Sequence, residues 1–436
     1  MVRSYRLSCR LPCRALRLAP ALLALASALH IARAVGAELD GAAMPAAPAI
    51  AQRADPSQDV QVATLLNQQA AAVRSVAATQ ILNMQSRLQA LHGDDAACDR
   101  ALGHAKAVGG SAAPVRGEGA GPPVAAPIEV PLTLCRRGEV AAAWSAGSLQ
   151  VGDTDPRAGA GGFGFRSNGV TLGTDARLGS SLTLGIGVGL AHERADAAHD
   201  ATSNSADSVG AAAYASYRPS KHMFVDAMAG YGDLKMNSAR RYGERGRIAA
   251  ERRASEWFAS LAAACQLQMA GTDFAPYTRV DVLRAALRGY TEADGSADAL
   301  QFERQNLPSL KLAVGVTGSS RIQTRYGHLT PVGKVEWRHE MERMDAAPIG
   351  YAGDAAGAIY AMDASGSARD SLSMSLGATL AWRDDWSIGA GYAYDYSSNT
   401  RADRLDLMLS LRFRWRGRRP RAGTGSEEPT GRRSTG

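Results

Sequence analysis

The chain has few cysteines, few aromatic residues and no long apolar run, and each shortage excludes a class of protein. Five cysteines in 436 residues are too few for a small secreted domain held together by disulfide bonds. No run of about 18 apolar residues occurs, so the sequence predicts no membrane-spanning helix. Aromatic residues make up only 6% of the chain, whereas glycine is abundant at 46 residues. The 45% share of hydrophobic residues argues against a disordered chain.

The positive charge of the chain, a formal +7, is concentrated at its two ends. Residues 1–37 hold six arginines and no acidic residue, and residues 416–436 hold six arginines and two glutamates. The part between them carries slightly more acidic than basic residues. Because nucleic-acid-binding domains cluster their basic residues on the folded surface, this distribution predicts no nucleic-acid partner, and 416–436 is expected to be a disordered basic tail.

The N-terminus is organised as a secretory signal peptide. An arginine-rich start is followed by the apolar stretch Leu18–Leu29 and by small residues up to Ala37. A mitochondrial presequence is the alternative, since it is also rich in arginine and poor in acid, but the continuous apolar stretch favours secretion. We therefore expect residues 1–37 to be removed and the mature chain to enter an oxidising compartment.

One long helix is predicted over residues 58–92, between an Ala/Pro-rich disordered segment (38–57) and a Gly/Ala/Pro-rich linker (93–138). Between Gln58 and Leu91 there is no glycine or proline, and apolar residues recur three or four positions apart. The remaining positions are mostly neutral amides and serines. Such a helix either packs on a core, coils with a partner or lies in a confined polar channel.

From 139 to 415 the period of the apolar residues changes to two, which predicts β-strands. Leucine, isoleucine and valine alternate with threonine and glycine over Leu182–Leu190, and Leu405–Trp415 alternates in the same way. Apolar and polar residues alternate in this way both in a soluble sandwich and in a membrane barrel. The barrel is favoured because the strands are long, their polar face is made of small residues, and charged residues lie deep within the strands. Twelve such strands, joined by alternating short turns and long loops, predict an all-β transmembrane barrel of 12 antiparallel strands preceded by one long α-helix.

The order and spacing of these segments resemble the translocator domain of autotransporters, the type V secretion proteins. The resemblance covers about 139–415 and is carried by FRSNGVTLGTDARLG (165–179), SLTLGIGVGLAHERAD (181–196), KHMFVDAMAGYG (221–232), PYTRVDVLRAALRGYTE (276–292), LTPVGKVEWRHE (329–340) and LRFRW (411–415). It implies a barrel in the outer membrane of a Gram-negative bacterium, surrounded by lipid, with an N-terminal segment at the cell surface or in the lumen.

The resemblance also implies assembly partners. Barrels of this family end on an aromatic residue that the barrel-assembly machinery reads, and periplasmic chaperones accompany them. Phe413 and Trp415 hold that place here. The passenger would be short and helical, without a β-solenoid. No feature of the sequence identifies a ligand that it would bind at the cell surface.

Residues for catalysis, for a cofactor or for a metal ion are not predicted. GxSxG, HExxH and CxxC motifs are absent, and Gly185, Gly187 and Gly189 lie within a strand rather than at a phosphate-binding turn. Asp196, His199, Asp200 and Asp207 are interpreted as a solvated extracellular loop. The inward positions instead predict ion pairs in the lumen, formed by Asp226, Arg279, Asp281, Lys334, Glu336, Arg338 and Glu340.

Cys98 and Cys135 are candidates for a disulfide bond, because both lie outside the strands and cross an oxidising compartment. The opposing argument is that a cross-linked loop is bulky to thread through a lumen.

Taken together, the sequence predicts a non-catalytic translocator that exports or displays its own short N-terminal passenger. A pore plugged by the N-terminal helix and a barrel enzyme are the alternatives.

Overall fold

The computed structural model describes residues 54–109 and 140–414, apart from 158, 198–200, 243–245, 270, 293–298, 355–356, 363–367 and 383–384, and for 93–109 it describes the backbone only. The predicted signal peptide, the basic tail, Cys135 and Trp415 therefore lie outside the described residues.

One long helix precedes the strands, and it is longer than predicted. A 3₁₀ helix (Pro56–Gln58) leads into helix α1 (Val60–Gly109). Asp59 caps α1, since its Oδ1 accepts a hydrogen bond from the Gln61 amide at 2.8 Å. No helix among the described residues has the length and apolarity needed to cross a membrane.

Two boundaries around α1 differ from the predicted ones. Residues 56–58 form a helical turn, although the predicted disordered segment included Pro56 and Ser57. The helix was expected to end at His92–Gly93, yet 93–109 belong to it rather than to a linker. A lone glycine costs only about 1 kcal/mol in a helix, and the alanine-rich sequence after Gly93 favours helix strongly enough to offset it.

The strands are long, and many exceed the usual soluble strand of about five or six residues. They are β1 (Val140–Thr154), β2 (Phe163–Leu178), β3 (Leu182–Ala197), β4 (Thr202–Ser220), β5 (Met223–Tyr242), β6 (Gly246–Cys265), β7 (Leu267–Met269), β8 (Thr272–Leu287), β9 (Tyr290–Thr291), β10 (Leu300–Phe302), β11 (Gln305–Ser320), β12 (Ile322–Thr324), β13 (Gly327–Glu340), β14 (Ala347–Tyr351), β15 (Ile359–Met362), β16 (Asp370–Trp382), β17 (Trp386–Ser397) and β18 (Thr400–Arg414).

Twelve of the described strands close into one antiparallel barrel. The ring runs β1-β2-β3-β4-β5-β6-β8-β11-β13-β16-β17-β18 and returns to β1, with β7 and β12 as short extensions beside it. The closing pair is long, since β1 and β18 are in register from Val140↔Arg414 to Thr154↔Thr400. The predicted twelve-stranded barrel is confirmed.

The two faces of the barrel wall differ in the way that a membrane barrel requires. Along β3 the large residues Leu184, Ile186, Val188 and Leu190 are exposed, while the threonine and glycines between them are buried. Along β18, Leu405, Leu407 and Leu409 are exposed and Ser410 is buried. The apolar residues therefore face outward, where lipid would cover them, and the small residues face the lumen.

The barrel has a short-turn end and a long-loop end. Strand pairs such as β2–β3 are joined by tight turns, and Gly179 in that turn has φ +71°, a conformation that favours glycine. Strand β1 begins at this short-turn end, and β18 ends there. The connections at the opposite end include 288–304 and 341–369. In outer-membrane barrels the short turns are periplasmic and the long loops extracellular.

A second, small sheet lies at the long-loop end and was not predicted. Its order is β15-β14-β10-β9, built from the two longest loops. Phe302 and Ile349 in these strands are buried against Val62 and Leu66 of α1. The loops thus cover the N-terminal end of the helix. Burial raises the pKa of the Tyr290 phenol, which therefore stays protonated where its ring stacks on that of Phe302, with the ring centroids 4.5 Å apart.

Adjacent positions at the middle of β18 test the orientation of the wall. Leu407 is 63% exposed on the outer face, whereas Met408 faces the lumen and lines a cavity. We expect Leu407→Arg to lower the free energy of unfolding by about 2–4 kcal/mol in lipid vesicles, because it places a cation near mid-bilayer. Met408→Arg, beside Asp406, is expected to cost clearly less. Denaturant titration of the refolded variants measures both, and equal losses would contradict this orientation.

Candidate functional site

Helix α1 lies inside the barrel, and from 61 to 88 none of its side chains is exposed. Val73 and Val76 are completely buried together with Gln69 on the same face, and Gln68, about 100° around the helix from Gln69, is completely buried as well. A helix buried on every side must meet polar as well as apolar walls, which explains a sequence rich in both alanine and glutamine. The lumen is therefore an occupied channel, and it is the candidate functional site.

The apolar residues of α1 pack in two clusters along the wall of β1–β8. Nearer the long-loop end, Val73 and Val76 contact Leu234, Met236 and Leu287. The second cluster lies nearer the short-turn end and includes side chains that are large for a barrel interior. Helix α1 contributes Ile81, Met84 and Leu88, and the wall contributes Trp144, Tyr214, Met228 and Phe258. These clusters hold the helix against one side of the lumen.

Glycines make the wall flat enough for the helix to approach. A Cβ atom at Gly169 would lie 2.6 Å from Cγ2 of Thr79, and one at Gly187 would lie 2.8 Å from Cε of Met84. A Cβ at Gly210 would lie 2.8 Å from Nε2 of Gln80. The alternating glycines of β2–β4 therefore form the surface on which α1 packs.

Amide side chains of α1 donate hydrogen bonds to the wall. Nε2 of Gln69 donates to Oγ of Ser238 at 2.9 Å, and Nδ2 of Asn83 donates to Oγ1 of Thr171 at 3.1 Å. The wall also donates to the helix, since Nη1 of Arg252 reaches Oε1 of Gln69 at 2.7 Å. The predicted helix in a polar channel thus has partners along its length.

The most extensive polar contact is centred on Arg87. Its guanidinium donates to both carboxylate oxygens of Asp175 at 2.7 and 2.9 Å, and to Oγ of Ser410 at 3.2 Å. Asp175 also accepts a hydrogen bond from the Tyr214 hydroxyl, to which Trp144 donates in turn. Helix α1 is thereby linked to β1, β2, β4 and β18 by one buried network.

The direction of α1 in the lumen is defined at both of its described ends. Val62 and Leu66 lie at the long-loop end, against the small sheet. His92 lies at the short-turn end, where its Nε2 is 2.9 Å from Asp226 at the start of β5 and its ring stacks on Phe224. The chain therefore passes through the barrel, with its N-terminal side at the long-loop end.

The wall opposite α1 carries a chain of ion pairs. Arg279 on β8 donates to Glu336 on β13 at 2.7 Å and to Asp281 at 2.9 Å. Glu336 also contacts Lys334 and Arg338 on its own strand. The series continues through Asp395 on β17 to Arg404 and Asp406 on β18.

The seven charged residues predicted for the lumen lie on its inner wall, but they contact different partners. Asp226 contacts the helix through His92. Arg279, Asp281, Lys334, Glu336 and Arg338 pair with one another along the wall. Glu340 accepts hydrogen bonds from the Ser309 hydroxyl and the Leu310 amide. Five of the seven thus form ion pairs with one another, on the wall opposite the helix.

Sequence reasoning missed the residues that bind the helix most tightly. Arg87, Asp175, Tyr214 and Arg252 were not singled out. Asp175 and Arg252 occupy inward-facing positions in the period-two alternation of their strands. That alternation is the sequence signal from which their position in the lumen could have been predicted. Their pairing with particular helix residues depends on the register and height of α1, which no local pattern gives.

Space remains beside the helix at the short-turn end. A cavity of about 330 Å³ lies between α1 and the opposite wall, lined by Arg87, Asp226, Arg279, Asp406 and others. Its lining mixes acids, bases, hydroxyls and small residues. The occupied lumen thus keeps an open recess at its short-turn end, where charged side chains lie among mainly apolar surface.

Other predicted positions are less informative. The side chain of Cys98 and the whole of Cys135 lie outside the described residues, so their disulfide stays a prediction. Phe413 is exposed on the outer wall. His199 and Asp200 are not described, while Asp207 pairs with His192 at 2.8 Å. Within the part of the chain that the structure describes, no group of acidic, histidine or cysteine residues is arranged to hold a metal ion.

The family of the chain follows from a comparison over most of the barrel. Residues 143–393 match the model of the autotransporter beta-domain. The chain belongs to the autotransporter β-domain family. The strands, the lumen and the helix described above are therefore those of an outer-membrane translocator barrel, and the predicted family is confirmed.

Solved and curated relatives are distant. This autotransporter is 16% identical to the translocator domain of NalP from Neisseria meningitidis, over 63% of this chain and 88% of that one, with a TM-score of 0.50. It is 13% identical to the β domain of the Bordetella autotransporter BrkA, over 62% of this chain and 98% of that one, with a TM-score of 0.48. An uncharacterised Pseudomonas putida protein from the trpE-trpG intergenic region is 28% identical over 172 residues, 38% of this chain and 29% of that relative's length.

The buried pair of Arg87 and Asp175 tests how the helix is held. Their side chains are 2% and 4% exposed. Arg87→Ala leaves a buried carboxylate without its cation, so we expect the free energy of unfolding to fall by about 3–5 kcal/mol. Arg194→Ala is the matched control, because Arg194 pairs with Asp196 on the outer surface and is 68% exposed. We expect it to cost less than about 1 kcal/mol.

Denaturant titration of both variants in lipid vesicles gives the comparison. A loss for Arg87→Ala no greater than for Arg194→Ala would show that the helix is not held by this contact.

Proposed function

We propose that this autotransporter exports its own N-terminal segment, ahead of α1, to the cell surface and retains α1 in the lumen as a plug. The segment concerned is residues 38–59, after removal of the predicted signal peptide 1–37. In this proposal the barrel acts as the route of export, and the helix is the last part of the chain to enter it.

The observation that carries the proposal is the direction of α1. Its N-terminal end packs at the long-loop end, and its C-terminal half leads toward the short-turn end where β1 begins. A chain that runs in this direction has its earlier residues on the extracellular side. The small sheet at that end supports the same view, since Tyr351 donates to the carbonyl of Ala54 at 2.8 Å.

The contacts of the lumen favour retention of the helix over catalysis. Arg87 of α1 pairs with Asp175, Arg279 pairs with Glu336 on the opposite wall, and amides of α1 bond to hydroxyls and carbonyls of the wall. We propose that the barrel has no catalytic activity. Its proposed partners are the outer-membrane lipid, the barrel-assembly machinery and periplasmic chaperones. The proposed assembly signal is formed by Phe413, which is exposed near the end of β18, and Trp415.

A plugged pore is the second candidate function. The cavity beside α1 favours it, because removal of the helix would join this recess to the volume that α1 now fills. In that case the N-terminal segment would be a gate and would have no role at the surface.

An epitope inserted after Gly41 in the full-length chain distinguishes the two. Export predicts that an impermeant antibody labels the epitope on intact cells. The control carries the same epitope in the short turn β4–β5, at Lys221, and is expected to be labelled only after the outer membrane is permeabilised. If the epitope after Gly41 is reached only after permeabilisation, as at Lys221, the export proposal is wrong and the plugged pore is favoured.

A further inference from the structure

The small sheet at the long-loop end has too few residues to be stable by itself. Its strands β9, β10, β14 and β15 contain two, three, five and four residues, and among the described residues they pair with one another rather than with the barrel. Even a longer isolated hairpin is only marginally stable in water, and a sheet of this kind needs an apolar surface to pack on. The small sheet must therefore obtain much of its stability from a neighbouring element.

Helix α1 supplies part of the core of the small sheet. Val62 and Leu66 of α1 are 0% and 1% exposed, and they belong to the same buried cluster as Phe302 and Ile349 of the sheet. Ala347 on β14 is buried in this cluster as well. Without α1 beneath them, these apolar side chains of the sheet would face the mouth of the lumen and its water. Their burial therefore depends in large part on α1.

A buried arginine joins the helix to both ends of the hairpin formed by β9 and β10. Arg252 on β6 is 2% exposed. Its Nε donates to the carbonyl of Arg288, just before β9, at 2.9 Å, and its Nη2 donates to the carbonyl of Glu303, just after β10, at 3.1 Å. Its Nη1 donates to Oε1 of Gln69 on α1 at 2.7 Å. Since an arginine keeps its charge, the loss of Gln69 would leave a buried N–H group of the guanidinium without its acceptor.

One contact fastens the small sheet to the wall without the helix. Arg240 on β5 donates to both carboxylate oxygens of Glu292, just after β9, at 2.7 and 2.6 Å. Glu292 also accepts a hydrogen bond from the Leu300 amide at 2.9 Å. These bonds hold the hairpin of β9 and β10 to the barrel whether or not α1 is present. Loss of the helix would therefore open the small sheet without detaching it.

We propose that the small sheet is a lid that closes only around a seated α1. Before α1 is in place, Phe302 and Ile349 lack the helix side chains beneath them, Arg252 lacks one acceptor, and the long-loop end of the barrel is open. Once α1 is seated, the same contacts close the sheet over its N-terminal end. An open lid leaves the route clear for a chain in transit. That consequence rests on the proposed export, whereas the dependence of the lid on α1 does not.

Thiol labelling of the purified full-length protein in detergent tests the proposal. In a chain whose own cysteines are replaced by serine, Ala347→Cys places a thiol in the buried core of the small sheet, and its reaction with a water-soluble maleimide reports opening. We expect Leu66→Ala to raise the labelling rate at least about tenfold, because truncation of a buried leucine weakens the core that holds the sheet closed. Leu88→Ala is the matched control. It is in the same helix and 2% exposed, but it packs at the short-turn end, so the rate should change by less than about twofold.

A pair of neighbouring amides repeats the comparison for the polar contact. Gln69 and Gln68 are both 0% exposed. Gln69 accepts the hydrogen bond from Arg252, whereas Gln68 donates to the carbonyl of Thr202. We expect Gln69→Ala to raise the labelling rate at position 347 severalfold more than Gln68→Ala does, because it alone removes an acceptor from the buried guanidinium.

Two controls separate opening of the lid from general loosening. Heat-modifiable migration on gels checks that each variant is a closed barrel. Ile359→Cys, at a position on β15 that is 64% exposed, should be labelled at the same rate in every variant. An unchanged rate at position 347 in Leu66→Ala, or equal increases in Leu66→Ala and Leu88→Ala, would overturn the proposal. Because the protein is purified before labelling, neither result depends on whether the N-terminal segment is exported.

Discussion

Backbone hydrogen bonding in lipid is the constraint on which the rest of this structure depends. A strand edge in hydrocarbon leaves amide and carbonyl groups without partners, so the sheet must close. Here closure is made by β1 and β18, paired along fifteen residues, and it requires all twelve strands. Once the ring is closed, its circumference determines a lumen wide enough for one α-helix, and the alternation of residues assigns apolar side chains to lipid and small ones to that lumen.

The lumen in turn explains the unusual composition of the helix. A helix that packed on a soluble core would need one apolar stripe, whereas α1 is enclosed by the barrel, against the wall on one side and facing a recess on the other. It packs through Val73 and Met84 on glycine-rich strands and bonds through Gln69, Asn83 and Arg87 to groups that the wall leaves free. The ion pairs around Glu336 neutralise the opposite wall among themselves. The helix is consequently held by β1–β8 and leaves a recess on the other side.

Much of the barrel follows from the sequence, because period-two alternation reports both the strand and its orientation. Strand ends are less predictable: β6 begins at Gly246, six residues before the alternation becomes evident, because its extracellular part lies above the lipid and needs no apolar face. The small sheet escaped prediction because Leu300–Phe302 is too short to show a period. Arg87 and Asp175 are 88 residues apart, and their contact depends on how far α1 enters the barrel, which tertiary packing decides.

The central claim is that α1 occupies the lumen with Thr79 against Gly169, and a cross-link tests it most directly. In a full-length chain whose own cysteines are replaced by serine, Thr79→Cys and Gly169→Cys place two thiols in contact across the helix–wall interface. Gly391 lies in the same layer of the barrel, three strands away, so Thr79→Cys with Gly391→Cys is the matched control. After membrane insertion and mild oxidation, a protease site at residue 120 is cut and the fragments are separated without reductant. The account predicts that the helix fragment stays attached to the barrel in the first variant and is released in the control. Release of the fragment from both variants would contradict it.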